Sequence, residues 1–561
     1  MVLVAGETDG ITQSIEKDYQ NMREANMDEQ SKQTEQPKVF FQRLQFNDGS
    51  SITLNENSIV VFTGANNCGK SQVLRELENR VNPNSGSRSI ILSNCEMSFC
   101  GDIDHKPFLE SLFNLDGQGN YYLPSSGTSF PLDALTNRWI RHNLDSGLGN
   151  AFVKRLNTVN RISSSNALRR DNSPEKNPIY KLYKSDHLAT IISDYFHQAF
   201  HFDLVINRNE MQTVPLHVGK APDRKAFTME QHDEYYKLIS DLPKLQEQGD
   251  GMRSFASVLL DTFTSDYSVT LIDEPEAFLH PPQARLLGKM LAKHNPKSRQ
   301  LFISTHSEDF LQGLLDANSD NIIVVRIDRK GDINKISVLQ NEKIKDLWGN
   351  PILRYSNILS GLFHEKVIVC ESDYDCLFYQ AMIDSIYENN HEISPDILFT
   401  HCVGKARVKD VISALKAVNV AVVAITDFDI LDDSHKMKPL IAAFGMDWET
   451  ELKTDMETIY KAINREQGAG NDVWKTLKNV GKVGFIGEAP AAYERVEQKC
   501  KSAGLFIVPV GEMECFDKTV NKEKKDWVYY VLENYDLGTE PKLETARHFV
   551  KEIAEYKDKD N

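Results

Sequence analysis

The sequence predicts two α/β domains in series, on three observations. The apolar run Ile59-Val60-Val61-Phe62-Thr63 leads straight into the glycine-rich loop Gly64-Ala65-Asn66-Asn67-Cys68-Gly69-Lys70-Ser71, and helical spacing follows from Gln72 to Leu77. Far downstream, the strand-like run Val269-Thr270-Leu271-Ile272 ends on Asp273-Glu274-Pro275-Glu276. Near residue 364 a second series of short apolar runs and helical segments begins, and its runs also end in acids: Glu371 and Asp375, then Asp427-Phe428-Asp429. Short β-rich runs alternating with helices are the pattern of parallel sheets covered by helices.

At 561 residues the chain exceeds one hydrophobic core, and about 150 residues per domain predicts two to four units. A formal net charge of −17 argues against a protein that coats nucleic acid through a broadly basic surface. It leaves room for an enzyme with local basic patches and metal-binding acids. The eight cysteines form no Cys-x-x-Cys pair, which argues against a zinc ribbon. Cys68 lies inside the glycine-rich loop and Cys370 precedes Glu371, so reduced thiols in a cytoplasmic protein are expected. The start Met1-Val2-Leu3-Val4-Ala5-Gly6 lacks the basic opening and apolar length of a signal peptide. The run Val420 to Ile425 is strand-sized, and no membrane span is expected.

Along the chain, residues 1–37 are polar and are expected to be a mobile extension or a lone docking helix. Residues 38–355 form the first domain, with a hairpin at Asn47-Asp48-Gly49 and a helical insertion at about 100–245 that includes Tyr180 to Phe200. Regular alternation returns with helix Ser254 to Phe263, strand 269–273, helix Pro282 to Lys293, and strands Gln300 to Ser304 and Ile322 to Ile327. Residues 356–561 form the second domain, with strands at Val367 to Cys370, Ile397 to Cys402, Val420 to Thr426, Val483 to Ile486 and Leu505 to Val510.

The glycine-rich loop carries its own chemistry. Gly64 and Gly69 let the backbone amides, with those of Asn66 and Asn67, wrap phosphate groups. Lys70 reaches the β- and γ-phosphates, Ser71 supplies a hydroxyl to Mg2+, and the helix that follows adds its positive end. Asp273 then completes the Mg2+ shell and Glu274 polarises the attacking water. Thr305-His306-Ser307 follows a strand, which places His306 near the γ-phosphate.

These motifs resemble the heads of ABC-type ATPases. Asp273-Glu274-Pro275-Glu276 with Leu279-His280-Pro281, followed by Ser304-Thr305-His306-Ser307, is similar to the DNA-repair and anti-phage branch of that class rather than to transporters. The resemblance implies that a signature loop of one subunit closes over ATP held by another. Gly249-Asp250-Gly251-Met252-Arg253-Ser254 stands where that loop belongs, with Gly251 and Ser254 as contacts, although it departs from the usual Ser-Gly-Gly wording. A homo-oligomer paired through its ATPase heads is therefore expected.

In the second domain, Glu371 ends a strand and Asp375 follows about one helical turn later, so both can face one cleft. Asp427 and Asp429 follow a buried strand, and residues two apart on an extended segment point the same way. Such oxygen donors make a hard-cation site for Mg2+ or Mn2+, suited to phosphodiester chemistry. The arrangement resembles the Toprim domain of topoisomerases, primases and OLD-family nucleases, with Ser372 where a glycine is usual and Gly404-Lys405 between the acidic motifs. Within Val510-Gly511-Glu512-Met513-Glu514, Glu514 is the closer match to the extra acid of OLD nucleases and Glu512 the alternative. Lys542 is the candidate for a lysine that often completes that family's site.

An ABC-type P-loop ATPase domain followed by a Rossmann-like Toprim domain is the OLD (overcoming lysogenization defect) arrangement. It implies an ATP-regulated, divalent-metal-dependent DNA endonuclease, commonly serving anti-phage defence alone or with a helicase-like or reverse-transcriptase/ncRNA partner (the Gabija and retron systems). Two other readings carry different expectations: an ATP-switched DNA clamp that does not cut, and an ATP-hydrolysing sensor or scaffold for a toxic partner. Arg138, Arg141, Lys154, Arg155, Arg161, Arg169 and Arg170, set against the single acid Asp145, form a candidate phosphate-contacting patch. Lys518, Lys522, Lys524 and Lys525 form a second.

Overall fold

The computed structural model describes residues 35–557, apart from 83–88, 160, 170–176, 229–230, 332, 340–358, 402–407, 418 and 467–470. The expected extension at 1–37 lies almost wholly outside the described residues, as do Gly404-Lys405 and Arg170. The chain divides into two compact units: the first runs to Ile336 apart from Gly64–Cys68, and the second comprises Gly64–Cys68 with the chain from Ser337.

In the first unit, β1 (Lys38–Phe46) and β2 (Ser51–Thr53) form the hairpin expected around Asn47-Asp48-Gly49. β3 (Ile59–Thr63) is buried at all five positions, as its unbroken apolar run requires, and α1 (Lys70–Val81) starts directly after the glycine-rich loop. β4 (Leu92–Cys100) pairs antiparallel with β1.

The main sheet takes its other strands from β5 (Val153–Leu156), β6 (Val269–Asp273), β7 (Gln300–Ser304), β8 (Ile322–Lys330) and β9 (Ile333–Leu339). Their order is β9-β8-β3-β7-β6-β5, and the pairs from β8 through β5 are parallel. Between strands lie α2 (Asp250–Thr264) and α3 (Pro281–His294). Pro281 and Pro282 open α3, where a missing N–H costs nothing.

The stretch expected as a helical insertion departs from that expectation. It contains a small antiparallel sheet (Asn114–Leu115, Tyr121–Leu123, Thr128–Phe130) and supplies β5 to the main sheet. The helical run at Tyr180 to Phe200 is two helices, Pro178–Lys184 and Asp186–Phe200. Ser185 ends the first and caps the second, its Oγ accepting from the Leu188 N–H at 3.2 Å.

The second unit is built on β10 (Lys366–Cys370), α4 (Asp373–Asn389), β11 (Ile397–His401), α5 (Val408–Ala417), β12 (Ala421–Thr426), α6 (Asn471–Val480) and β13 (Leu505–Ile507). Its sheet runs β11-β10-β12-β13, all parallel. Phe378, Trp527 and Phe549 anchor the core on one side of this sheet. The strand expected at Val483 to Ile486 is instead a 3-10 turn, Gly481–Gly484, with Val483 exposed. Glycines at both ends of a short apolar run favour a turn over a strand.

Candidate functional site

Parallel strands put their carboxyl ends on one edge, and β3, β7 and β6 are neighbours. Asp273 pairs in register with Ser304, and Ser304 with Phe62, so the glycine-rich loop leaves the sheet beside the acids that end β6. Gly69 caps α1 at φ 112°, a left-handed conformation that favours glycine. Lys70 is buried at the start of α1, Ser71 is half-buried, and Asn66 and Asn67 are exposed on the loop.

Asp273 is held from three sides. Its Oδ1 accepts from Ser304 Oγ, its Oδ2 lies 3.6 Å from Arg155 Nη2, and its carbonyl accepts from Arg161 Nη1 at 3.0 Å. Glu274 adopts φ 48°, a left-handed conformation that a non-glycine residue keeps only when its surroundings enforce it. Its N–H donates to the Ser304 carbonyl at 3.0 Å, and its Oε1 lies 3.3 Å from His306 Nε2. Burial and then the charge of Lys70 hold the His306 imidazole below its usual pKa range. Glu276 accepts from Thr305 Oγ1 and from the His306 N–H, each at 2.8 Å, so it fixes the turn that carries the histidine. Burial pushes the Glu276 carboxyl above its usual range.

Two departures from sequence expectation fall here. Arg161 is 1% exposed beneath the Asp273 strand end, and Arg155 bridges Asp273 and Glu78 at 3.6 and 3.0 Å. Both leave the candidate DNA patch, while Arg141 and Arg169 stay exposed. Ser254 is fully buried within α2, so its side chain faces its own domain and not a second subunit. Gly251, in the first turn, is half-buried, with the Phe278 carbonyl close against it.

The second centre is built at the ends of β10 and β12, also neighbours. Glu371, Asp427 and Asp429 each present a carboxylate oxygen within 4.8 Å of the others. The Asp427 N–H donates to Glu371 Oε1 at 3.2 Å, which ties the two strand ends together. Asp427 is extended, but Phe428–Leu431 is a 3-10 turn and not the extended segment expected. Buried Phe428 packs against Phe485 and Tyr493, ring centroids 5.3 Å apart in each case, and leaves the flanking acids half-buried. Three hard oxygen donors without His or Cys fit Mg2+ or Mn2+.

The other candidate acids lie outside this trio and have protein partners of their own, as Glu371 and Asp429 do. Asp375 Oδ2 accepts from the N–H and the Oγ of Ser372, both at 3.0 Å, and Ser372 in turn caps α4. Ser372 has φ −135°, so the usual glycine is not needed there. Burial raises the Asp375 carboxyl to about 6, against the Ser372 hydrogen bonds and helped by Glu371 and Glu514. Glu514 Oε1 accepts from the Lys524 N–H at 2.6 Å. Lys542 donates to Thr519 Oγ1 at 2.8 Å and lies 3.7 Å from buried Asp517, neither of them in the acidic trio. The lysine recorded at the trio is Lys478, on α6. Its Nζ is 3.2 Å from Asp429 Oδ2 and 2.5 Å from Glu512 Oε1. No sequence motif marked it, because it comes from a helix with no acidic strand end of its own.

A phosphate-loop edge and a carboxylate trio on separate parallel sheets define a two-part protein, a P-loop ATPase domain followed by a Toprim-type domain. Comparison with known families agrees. Residues 131–311 match the family described as "AAA domain, putative AbiEii toxin, Type IV TA system", and residues 362–429 match "Overcoming lysogenization defect protein-like, TOPRIM domain". The Old nuclease of Escherichia phage P2 is 24% identical over 277 residues, which is 46% of this chain and 45% of that one. The chain thus spans under half the length of that curated relative. Among solved structures, an Smc head domain from Pyrococcus furiosus bound to the C-terminal domain of ScpA covers 56% of this chain and 99% of its own (12% identity, TM-score 0.33). The SMC head domain from Thermotoga maritima covers 55% and 100% (10% identity, TM-score 0.28). The chain has the architecture of the OLD family, an ATPase domain plus an OLD-like Toprim domain.

Proposed function

We propose that this chain is an ATP-regulated, divalent-metal-dependent DNA endonuclease of the OLD type. The observation that carries the reading is the meeting of Glu371, Asp427 and Asp429 within 4.8 Å. A divalent ion on those carboxylates would supply Lewis-acid stabilisation to a phosphodiester undergoing hydrolysis. Around it, the Asp427 N–H fixes the Glu371 carboxylate and the buried Phe428 fixes the turn between the two aspartates. The exposed lysines Lys518, Lys522, Lys524 and Lys525 offer charge to a nucleic-acid backbone.

In the ATPase domain, Lys70 binds the phosphates, and Ser71 and Asp273 hold Mg2+. Glu274 orients the attacking water, with His306 hydrogen-bonded beside it. ATP binding pairs the heads of two chains, Gly251 of one facing the nucleotide of the other. The role is defence against phage, alone or with a helicase-like or reverse-transcriptase/ncRNA partner. Plasmid nicking in Mg2+ or Mn2+, with and without ATP, tests the reading. Metal-dependent nicking that is lost in Glu371→Ala supports it, and DNA binding without nicking would favour a clamp.

A further inference from the structure

The first domain encloses a cavity that neither the nucleotide edge nor the acidic trio accounts for. Its volume is about 160 Å³, and it lies between the end of α2, the edge strand β5 and the helix Pro178–Lys184. Its wall carries two opposite charges, Asp261 from α2 and Lys154 from β5. Asp261 is 4% exposed and accepts from Ser164 Oγ at 2.7 Å. No ion pair joins it to Lys154 among the described residues, whereas Lys181 and Asp266, on the same wall, satisfy each other at 2.6 Å. Leu112, Leu123 and Pro124 add an apolar surface.

Burial pushes the Asp261 carboxyl above its usual range, against the Lys154 charge and the Ser164 hydrogen bond. A cation brought to that carboxylate would offset a desolvation cost already present. Burial likewise raises the Tyr267 phenol on the same wall, which therefore stays a protonated donor. Two opposite charges set beyond ion-pair distance in a part-apolar cavity match a zwitterion with a hydrocarbon side group. A cavity of about 150 Å³ admits benzene, so about six to nine non-hydrogen atoms fit here.

Two short links run from this cavity to the ATPase edge. Ser164 belongs to the 3-10 turn Arg161–Ser165, and Arg161 of that turn donates to the Asp273 carbonyl at 3.0 Å. Lys154 precedes Arg155 on β5, and Arg155 bridges Asp273 and Glu78. Each charged residue of the cavity is thus one short segment away from the strand end that carries Asp273.

We propose that this cavity binds a small aliphatic α-amino acid, its ammonium on Asp261 and its carboxylate on Lys154, and that the occupant steadies the Arg161 turn against Asp273. The site does not depend on the endonuclease reading; its effect on nucleotide rests on the assignment of Lys70 and Asp273. Occupancy tightens ATP binding, because the turn that holds the Asp273 carbonyl is then fixed at both ends. By linkage, ATP tightens amino-acid binding by the same factor.

The test is isothermal titration calorimetry of the full-length protein with glycine, L-alanine, L-valine and L-leucine, beside n-butylamine and butyrate, which carry one charge each. Saturable binding of at least one amino acid is expected, about tenfold or more tighter than either singly charged probe. Asp261→Asn and Lys154→Met should each weaken it about tenfold or more, the scale of losing a hydrogen bond to a charged group. Lys154 is half-buried on an edge strand, so its variant decides the matter if Asp261→Asn does not fold. With saturating amino acid, affinity for a non-hydrolysable ATP analogue should rise about fivefold. No binding by any of the four amino acids overturns the proposal and leaves the cavity to water. Binding no tighter than that of butylamine or butyrate would contradict recognition of both charges. Amino-acid binding with unchanged nucleotide affinity would contradict the link to Asp273. Plasmid cleavage tests the endonuclease reading separately from all of these.

Discussion

The backbone N–H of Asp427 donates to Glu371 Oε1 at 3.2 Å, joining the carboxyl ends of two adjacent parallel strands. The bond orients one carboxylate by the chain that carries the next. Replacing Glu371 removes the acceptor of this bond, whereas Asp427→Ala keeps the backbone donor and removes only its own carboxylate. The ATPase edge uses the same device, with Ser304 at the end of β7 donating to Asp273 at the end of β6. Both centres thus sit where strand ends converge.

At the ATPase edge, Lys70→Ala should abolish tight ATP binding, because the buried ammonium is the residue's contribution to the phosphate cradle. Glu274→Gln should bind ATP and hydrolyse it slowly, having lost the group that polarises water. Equilibrium binding of a fluorescent ATP analogue beside steady-state turnover separates the two. Equal affinity in wild type and Lys70→Ala would remove the nucleotide assignment.

His306 should give ATP turnover an acid limb. Its pKa lies below the usual histidine range, so the imidazole is neutral at neutral pH and protonates only as pH falls beneath that range. Protonation would set a second positive charge near Lys70 and alter the contact with Glu274. Wild-type turnover should be level near neutrality and decline on acidification, and His306→Gln should lose that dependence along with much of its rate. An unchanged acid limb in His306→Gln would assign the limb to another group.

Arg161 should behave as a structural part of the ATPase edge and not as a DNA contact. Arg161→Met removes the bond to the Asp273 carbonyl and a buried charge among Asp273, Glu274 and Glu276, an arrangement whose disruption costs about 3 kcal/mol. Thermal denaturation and ATP turnover should both suffer, with DNA affinity unchanged at matched folded fraction. Arg141→Ala, at an exposed site, should leave stability unchanged.

Ser372 should tolerate glycine better than alanine. Its Oγ caps α4, so Ser372→Ala should cost about 1 kcal/mol, and Ser372→Gly only a few tenths. Denaturant melts of the two variants decide this, and equal losses would show that the cap is not the stabilising element.

What was legible in the sequence was local. The phosphate loop, Asp273-Glu274 and Asp427-Phe428-Asp429 are strings in which strand, turn and chemistry adjoin, and the structure places each at a strand end. Ser254 could not be read that way, because burial inside α2 depends on packing that no motif records. Arg155 and Arg161 read as a surface patch by composition, yet the edge strand β5 and the turn after it carry them to the ATPase acids. Lys478 was invisible for the same reason, its meeting with Asp429 arising from the crossing of Gly511 over α6. The turn at Gly481–Gly484 carries the apolar residues of a short strand, but its glycines decide the local structure.

The most direct test of the central claim is supercoiled-plasmid cleavage by Asp427→Ala and Glu371→Ala, with ATP turnover measured on the same preparations. Losing one carboxylate of the trio should reduce cleavage in Mg2+ or Mn2+ by about 100-fold or more. ATP turnover should persist, because Lys70 opens α1 and Asp273 ends β6, both outside the sheet that carries the trio. Cleavage at the wild-type rate by both variants would contradict a metal-dependent nuclease centre at these residues.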